Sequence, residues 1–320
     1  MISPLLDVRD LSVDFDGPHG TVRAVDAVSF TVGRGERVGL VGESGSGKSV
    51  VARAILGLIK PPGTVASGEI VFDGRDLRGL PEQELDRVRG ARVALIPQDA
   101  SLALNPVLTV GEHMREVLQR HTELGKDQIG EKCLTTLGRV GLADPTRVLS
   151  AYGGELSGGM KQRVGIALAL LCDPELLIAD DPTSAVDVTI QAQILAELRD
   201  LTARLGVSVL FITHDLRVVA NLCSRAVVLY AGQVAEIATP RELLEHSRHP
   251  YTDALVSCLP SVTLRKTPLP VVPGAPPEAG ELHGCRFHPR CPNVQPRCPE
   301  QAPPLGGDGH RFACWNPVAA

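Results

Sequence analysis

Residues 5–35 alternate apolar and polar positions, as in Leu6-Asp7-Val8-Arg9 and Val28-Ser29-Phe30-Thr31-Val32, with a turn-forming Gly17-Pro18-His19-Gly20 between the runs. A period of two predicts an antiparallel sheet with one wet face at the start of the chain. The pattern then changes. Arg37-Val38-Gly39-Leu40-Val41 is a short buried-strand run, and residues 50–59 repeat apolar positions at helical spacing. Pro and Gly between 61 and 68 break that helix, and Glu69-Ile70-Val71-Phe72-Asp73-Gly74 returns as a strand and turn. Apolar spacing of three and four predicts helices between about 101 and 149, densest at 110–118 and 133–140, and again up to Leu171. Buried strands are expected at 92–96, 176–180 and 207–213. Strands alternating with helices predict an α/β core, behind the antiparallel sheet and interrupted by a helical insertion.

Gly42-Glu43-Ser44-Gly45-Ser46-Gly47-Lys48-Ser49 lies between the 37–41 strand and the helix that opens near Val50, and fits G-x-x-x-x-G-K-[ST]. Glycines let the backbone turn tightly and aim successive N–H groups at phosphate oxygens, Lys48 adds a flexible positive charge, and the Ser49 hydroxyl can reach Mg²⁺. Ser157-Gly158-Gly159 opens the apolar helix that ends at Leu171, so its N–H groups form a second anion site, although a plain N-cap needs the same residues. The strand at 176–180 ends in Asp180-Asp181, where a P-loop protein places its second Mg²⁺ anchor and a carboxylate facing the attacking water. Two acids at a strand end also suit a solvated turn. Gln98 follows one buried strand, which by itself says little, and His214 follows another at the sheet edge where α/β folds bind ligands. Phe15 serves either as an ordinary core aromatic or as a stacking surface for adenine.

The length of 320 residues and 43% hydrophobic content support about two packed domains. A net charge of −5 leaves no basic footprint for nucleic acid as the main partner. The start, Met1-Ile2-Ser3-Pro4-Leu5-Leu6-Asp7, has no secretory n-region or apolar core, which points to the cytosol. The longest uncharged apolar run, 164–172, is far short of the roughly 18 residues a membrane helix needs, so membrane association is expected through a partner. Of eight cysteines, Cys133, Cys172, Cys223 and Cys258 sit among apolar neighbours and read as small buried hydrophobes.

Together these segments resemble the ABC transporter ATPase family. The family's Walker A looks like residues 42–49, its Gln loop like Gln98 and its LSGGQ-type signature like Leu156-Ser157-Gly158-Gly159-Met160. Its Walker B looks like residues 176–180, its D-loop like Ser184-Ala185-Val186-Asp187 and its switch histidine like His214. The motifs occur in family order, and the resemblance covers residues 5 to about 245. A closer similarity is to the oligopeptide/dipeptide importer ATPases. It rests on Ser101-Leu102-Ala103-Leu104-Asn105-Pro106, on His249-Pro250-Tyr251-Thr252-Asp253-Ala254-Leu255, and on Gly284-Cys285-Arg286-Phe287-His288-Pro289-Arg290-Cys291-Pro292.

The resemblance implies a P-loop NTPase of the ABC ATPase type, with a RecA-like core, an antiparallel β subdomain and a helical insertion near 99–165, all within residues 1–245. It implies ATP on Phe15 and on Gly42 through Val50, completed by Ser157, Gly158, Gly159 and Asp187, with Mg²⁺ on Ser49, Gln98 and Asp180. Lys48, Gln98, Asp181 and His214 would act on the γ-phosphate and its water. Two such subunits bind head to tail, sandwich two ATP, and drive two permeases fed by an extracytoplasmic substrate-binding protein at the membrane's cytoplasmic face. The cargo, whether dipeptide, longer peptide, nickel or another solute, meets the permeases and not the ATPase. A soluble ABC ATPase working on ribosomes or DNA is the alternative, disfavoured by the single core and the lack of a basic arm. One departure stands out: Asp181 occupies the place where the family carries Glu.

Residues 246–280 form a Pro-rich connection, and 281–320 a Cys-rich extension with few large apolar residues, and hence little core without a staple. Cys285, Cys291, Cys298 and Cys314 fall at C-x₅-C-x₆-C-x₁₅-C, without the close pairs of a zinc ribbon. Disulfides are disfavoured in the cytosol, so a four-thiolate [4Fe–4S] cluster leads, with zinc and plain reduced thiols as alternatives. Arg286, Arg290, Arg297 and Arg311 lie among these cysteines and offer positive charge to a thiolate site, and similar importer tails imply a cluster as well. A tail of this kind also admits a redox or iron-responsive regulatory role.

Overall fold

The computed structural model describes residues 3–18, 20–99, 104–183, 188–259, 271–277 and 283–319. The first part of the chain forms β1 (Leu6–Gly17), β2 (Gly20–Val32), β3 (Arg37–Val41), α1 (Lys48–Ile55), β4 (Gly63–Phe72), β5 (Arg75–Asp76), α2 (Glu82–Val88) and β6 (Val93–Ile96). The middle forms α3 (Val110–His121), α4 (Lys126–Arg139), α5 (Pro145–Ser150), α6 (Gly158–Leu170), β7 (Leu176–Asp180), α7 (Val188–Leu205) and β8 (Ser208–Thr213). The last part forms α8 (Leu216–Leu222), β9 (Arg225–Tyr230), β10 (Gln233–Ala238), α9 (Pro240–His246), α10 (Pro250–Ser257) and β11 (Arg311–Phe312). The chain divides into two compact units, one of residues 1–5, 32–37 and 79–212, the other of 6–31, 38–78 and 213–320.

In the first unit β6, β7 and β8 run parallel, with Val93 opposite Leu176 and Leu176 opposite Ser208. Strand β7 is buried at every position except its last, Asp180, as a strand covered on both faces requires. Helices α3 to α5 fall in the expected insertion. Thr109 and Glu112 close a capping box on α3, and Asp144 followed by Pro145 starts α5.

In the second unit the antiparallel sheet has the order β2-β1-β4-β5. Two boundaries differ from the sequence expectation. Helix α1 ends at Ile55 rather than 59, because Gly57 takes φ 61° and a Schellman arrangement forms, with Leu58 N–H on Arg53 O at 2.8 Å and Gly57 N–H on Ala54 O at 2.9 Å. Strand β4 begins at Gly63, not 69. Its first half pairs only with β1, as far as Phe15 opposite Gly63, since β5 reaches only Val71 and Phe72. Gly is tolerated on such an edge. The Phe15 ring takes up the space a side chain would need, because a Cβ on Gly63 would sit 2.6 Å from Phe15 Cε1.

The same unit pairs β3 parallel to β9, β9 antiparallel to β10, and β10 antiparallel to β11. The C-terminal segment is therefore docked onto the unit that carries residues 42–49. Phe287 is 1% exposed within a cluster containing Val41, Val219, Val228, Tyr230 and Tyr251, and its ring meets Tyr230 edge-on at 5.1 Å. Ala313 N–H bonds Ala235 O at 2.9 Å and Val318 N–H bonds Arg248 O at 2.9 Å. This corrects the expectation of a tail without core: one buried aromatic and a strand addition supply it.

Candidate nucleotide site

The loop between β3 and α1 is shaped by close backbone approach. A Cβ on Gly42 would lie 2.2 Å from Leu229 O, and Gly47 combines φ 98° with an approach of 2.7 Å to Ala24 O, so neither position accepts a side chain. Ser46 is buried, and its carbonyl accepts from Gly232 N–H at 3.0 Å. Lys48 starts α1 and turns its Nζ back over the loop, bonding Gly42 O and Glu43 O at 2.8 Å each and Ser46 Oγ at 3.2 Å. Ser44 and Gly45 stay exposed, and the first turn of α1 contains no acid to oppose an anion. An anion at this loop would meet backbone N–H groups, the positive end of α1 and an ammonium held in place by loop oxygens.

Sequence reasoning missed two residues that hold this loop. Tyr251, fully buried on α10, accepts the Glu43 N–H at 2.9 Å through its hydroxyl, and Arg290 pairs with the Glu43 carboxylate at 2.8 Å. Tyr251 lies in a string read as a subfamily marker, His249-Pro250-Tyr251, and Arg290 in the Cys285–Cys291 segment, where it was read as a counter-charge for a thiolate site. A buried Tyr needs a hydrogen-bond partner, and that was the available signal.

In the first unit, Asp180 ends β7 half-buried, and Asp181 follows with φ 45°, its N–H donating to Ile212 O at 2.8 Å. Aspartate is among the few residues that occupy this left-handed region readily. Gln98 stands exposed two residues past β6, and Ile96 lies opposite Ala179, so Gln98, Asp180 and Asp181 share one sheet end. Ser157 caps α6, its Oγ accepting from Met160 N–H at 3.3 Å, while a Cβ on Gly158 would meet open space. Among the described residues, packing thus gives no reason for glycine at 158. In the second unit His214 is exposed just beyond β8, and Phe15 is partly exposed over Gly63. Asp187 and residues 101–103 lie outside the described residues.

The metal centre expected in the tail is not formed: among the described residues no group of three or more His, Cys, Asp or Glu side chains is gathered to hold an ion. Burial pushes Cys285 up to about 11, with Cys298, Cys291 and Cys314 adding to the shift, and burial also raises Cys291 and Cys314. Two of the arginines expected to offset a thiolate site are committed elsewhere, Arg286 to Asp26 at 2.9 Å and Arg290 to Glu43. Arg297 lies over the Trp315 ring, 4.3 Å from its centroid. Of the other cysteines Cys133 is buried, whereas Cys172, Cys223 and Cys258 are only partly so.

His249 makes the stability of this region pH-dependent. It caps α10 through Nδ1, which accepts Tyr251 N–H at 3.0 Å, and desolvation lowers its pKa from 6.5 to about 4. The folded state resists a proton that the unfolded chain accepts near 6.5, so this contribution is absent above that pH and destabilises progressively as pH falls toward 4. The loss should reach about 3 kcal/mol. Urea unfolding at pH 7 and pH 4.5 should show it, and His249→Asn, which can still cap the helix, should flatten the pH slope.

Residues 25–184 match the ABC transporter family, and residues 235–298 match the oligopeptide/dipeptide transporter C-terminal region. The chain belongs to the ABC transporter ATPase family, in its oligopeptide/dipeptide group. It is 48% identical over 317 residues to a probable peptide ABC transporter ATP-binding protein of Sinorhizobium fredii, covering 98% of this chain and 95% of the relative. It is 43% identical to the dipeptide transport ATP-binding protein of Bacillus subtilis, with 97% and 94% covered, and 42% identical to the oligopeptide transport ATP-binding protein of Escherichia coli, with 98% and 94% covered. Among solved structures, a dimeric post-hydrolysis ATP-binding cassette bound to ADP and Pi superposes with a TM-score of 0.66 at 27% identity, over 74% of this chain and 99% of that one.

Proposed function

We propose that this chain is the ATP-hydrolysing subunit of an ABC importer for di- or oligopeptides. What carries the reading is the 42–49 loop, where backbone approach demands glycine at 42 and 47 and Lys48 is poised over the turn, in a chain similar along nearly its whole length to peptide-transport ATP-binding proteins. In this reading residues 1–245 form the ATPase domain, 246–280 the connection and 281–320 the extension. Gly42 to Val50 cradle the phosphates, Phe15 stacks on adenine, and Ser49, Gln98 and Asp180 hold Mg²⁺, which when bound neutralises β- and γ-phosphate charge. Asp181 orients water and His214 senses the γ-phosphate. Ser157, Gly158, Gly159 and Asp187 face the nucleotide on a second ATPase subunit, and the described residues leave space open at Gly158 for it.

The dimer would serve two permeases and an extracytoplasmic binding protein from the cytoplasmic face, and among the described residues no helix is long and apolar enough to cross a membrane. Copurification tests this: permeases and a second ATPase subunit are expected with the tagged chain. Recovery with nucleic acid or ribosomes instead would refute it.

We propose further that Cys285, Cys291, Cys298 and Cys314 close on a [4Fe–4S] cluster when iron and sulfide are supplied. Support comes from the backbone that joins two of the cysteine-bearing turns, Cys285 N–H donating to Cys298 O at 2.8 Å. Anaerobically purified protein should show a broad absorbance near roughly 400 nm with matching iron and acid-labile sulfide. Zinc or no metal, with all four thiols alkylated, would exclude the cluster.

A further inference from the structure

Glu43 is held at both its backbone and its side chain by residues more than 200 positions later in the chain. Its N–H donates to Tyr251 on α10, and its carboxylate takes a forked pair from Arg290, Nη1 to Oε2 at 2.8 Å and Nη2 to Oε1 at 3.2 Å. The remaining donors of Arg290 are also used, Nε on Pro273 O at 2.7 Å, Nη2 on Val272 O at 3.2 Å and Nη1 on the Tyr230 hydroxyl at 3.2 Å. The Arg290 side chain is 4% exposed and that of Glu43 25%, so the pair is largely removed from solvent. Planar, two-point pairing of this kind fixes orientation as well as distance.

Arg290 reaches Glu43 because of the turn that carries it. Residues His288–Arg290 form a short 3₁₀ turn bounded by Cys285 and Cys291, with Arg290 N–H on Phe287 O at 3.0 Å and His288 N–H on Cys285 O at 3.0 Å. Phe287 plugs that turn into the Tyr230 and Tyr251 cluster, its ring nearly perpendicular to that of Tyr230 with centroids 5.1 Å apart. The position of the guanidinium is thus set by the fold of the cysteine-bearing segment.

We propose that Arg290 is a positioning residue of the nucleotide site: through Glu43 it lets the C-terminal segment set the conformation of the 42–49 loop, so nucleotide affinity depends on how that segment is folded. The proposal rests on residues 42–49 being the phosphate loop. If Glu43 is released, the loop carbonyls that hold Lys48 lose their fixed placement, because one of them belongs to Glu43 itself. The binding-competent conformation then becomes a fraction of the population, and apparent affinity falls by that fraction.

The test is an equilibrium titration of the full chain with a fluorescent ATP analogue and Mg²⁺, well below the melting temperature of each variant. Arg290→Gln and Glu43→Gln should each weaken binding about tenfold, and the double variant should be no weaker than either single, since partners in one contact do not add. Arg290→Lys should fail to restore affinity, because one ammonium cannot serve both carboxylate oxygens and the two carbonyls. A purely structural role would lower the melting temperature of these variants and leave the affinity of the folded protein unchanged, which would overturn the proposal; so would full additivity in the double variant. If Arg290→Gln does not fold, Glu43→Gln decides alone, and unaltered affinity there refutes the role. Lys48→Ala is run in parallel. Loss of binding in Lys48→Ala with normal binding in the other two rejects the positioning role only, whereas normal binding in Lys48→Ala removes the phosphate-loop reading and the proposal with it.

Discussion

Lys48→Ala should abolish productive ATP binding. In the folded chain the Lys48 ammonium spans Gly42 O, Glu43 O and Ser46 Oγ, which places it above the loop where phosphate oxygens would lie. Two charge-assisted hydrogen bonds to phosphate, at roughly 1.5–3 kcal/mol each, correspond to a loss of about 10²–10⁴-fold in affinity. No acid in the first turn of α1 competes for the anion, and that turn has no second Lys or Arg to replace the charge. The measurement is a nucleotide titration of wild type and variant, with thermal unfolding as a control that the variant is folded. Affinity within threefold of wild type, in a folded variant, would remove the phosphate-loop assignment.

In the assembled transporter, Ser157→Arg should stop ATP turnover while Asp181→Ala leaves most of it. Aspartate is one methylene shorter than glutamate, so in the proposed site the Asp181 carboxylate would fall about 1 Å or more short of the water it would orient, a displacement that can cost on the order of 10²-fold. The backbone offers little slack for compensation: Asp181 follows the last residue of β7, its N–H is fixed to Ile212 O at 2.8 Å, and φ is already 45°. The site built on this chain's own Walker motifs is therefore proposed to be slow. Ser157 and Gly158 are exposed at the N-terminus of α6, and an Arg side chain there would block whatever the open face at Gly158 receives. Hydrolysis would then run mainly at the site whose Walker motifs come from a partner ATPase, which argues for a heterodimer. Equal loss of turnover in the two variants would reject this asymmetry.

The sequence by itself determined the elements whose signals are local. The period of two before residue 35, the apolar runs at 37–41, 176–180 and 207–213, and the helical spacing around 110–118 and 133–140 all correspond to elements of the structure. Such patterns are legible because a strand or helix must bury one face whatever it packs against. The string 42–49 was legible as a spaced motif, whereas the approaches that demand glycine at 42 and 47 come from Leu229 on β9 and Ala24 on β2, which its spacing does not record. Boundaries that depend on cross-strand pairing were not: β4 starts at Gly63 because β1 offers it a partner and Phe15 takes up the space a side chain at Gly63 would need. The tail was misjudged most. Its composition promised little core, yet a single Phe287 reaches a cluster assembled from Val41, Tyr230 and Tyr251, positions spread over more than 200 residues of chain. Arg286 and Arg290 looked like counter-charges for a metal site, and the fold instead delivers them to Asp26 and Glu43. A charged side chain entering a largely buried place takes whichever opposite charge the tertiary structure brings within reach, and spacing along the sequence carries no record of that choice.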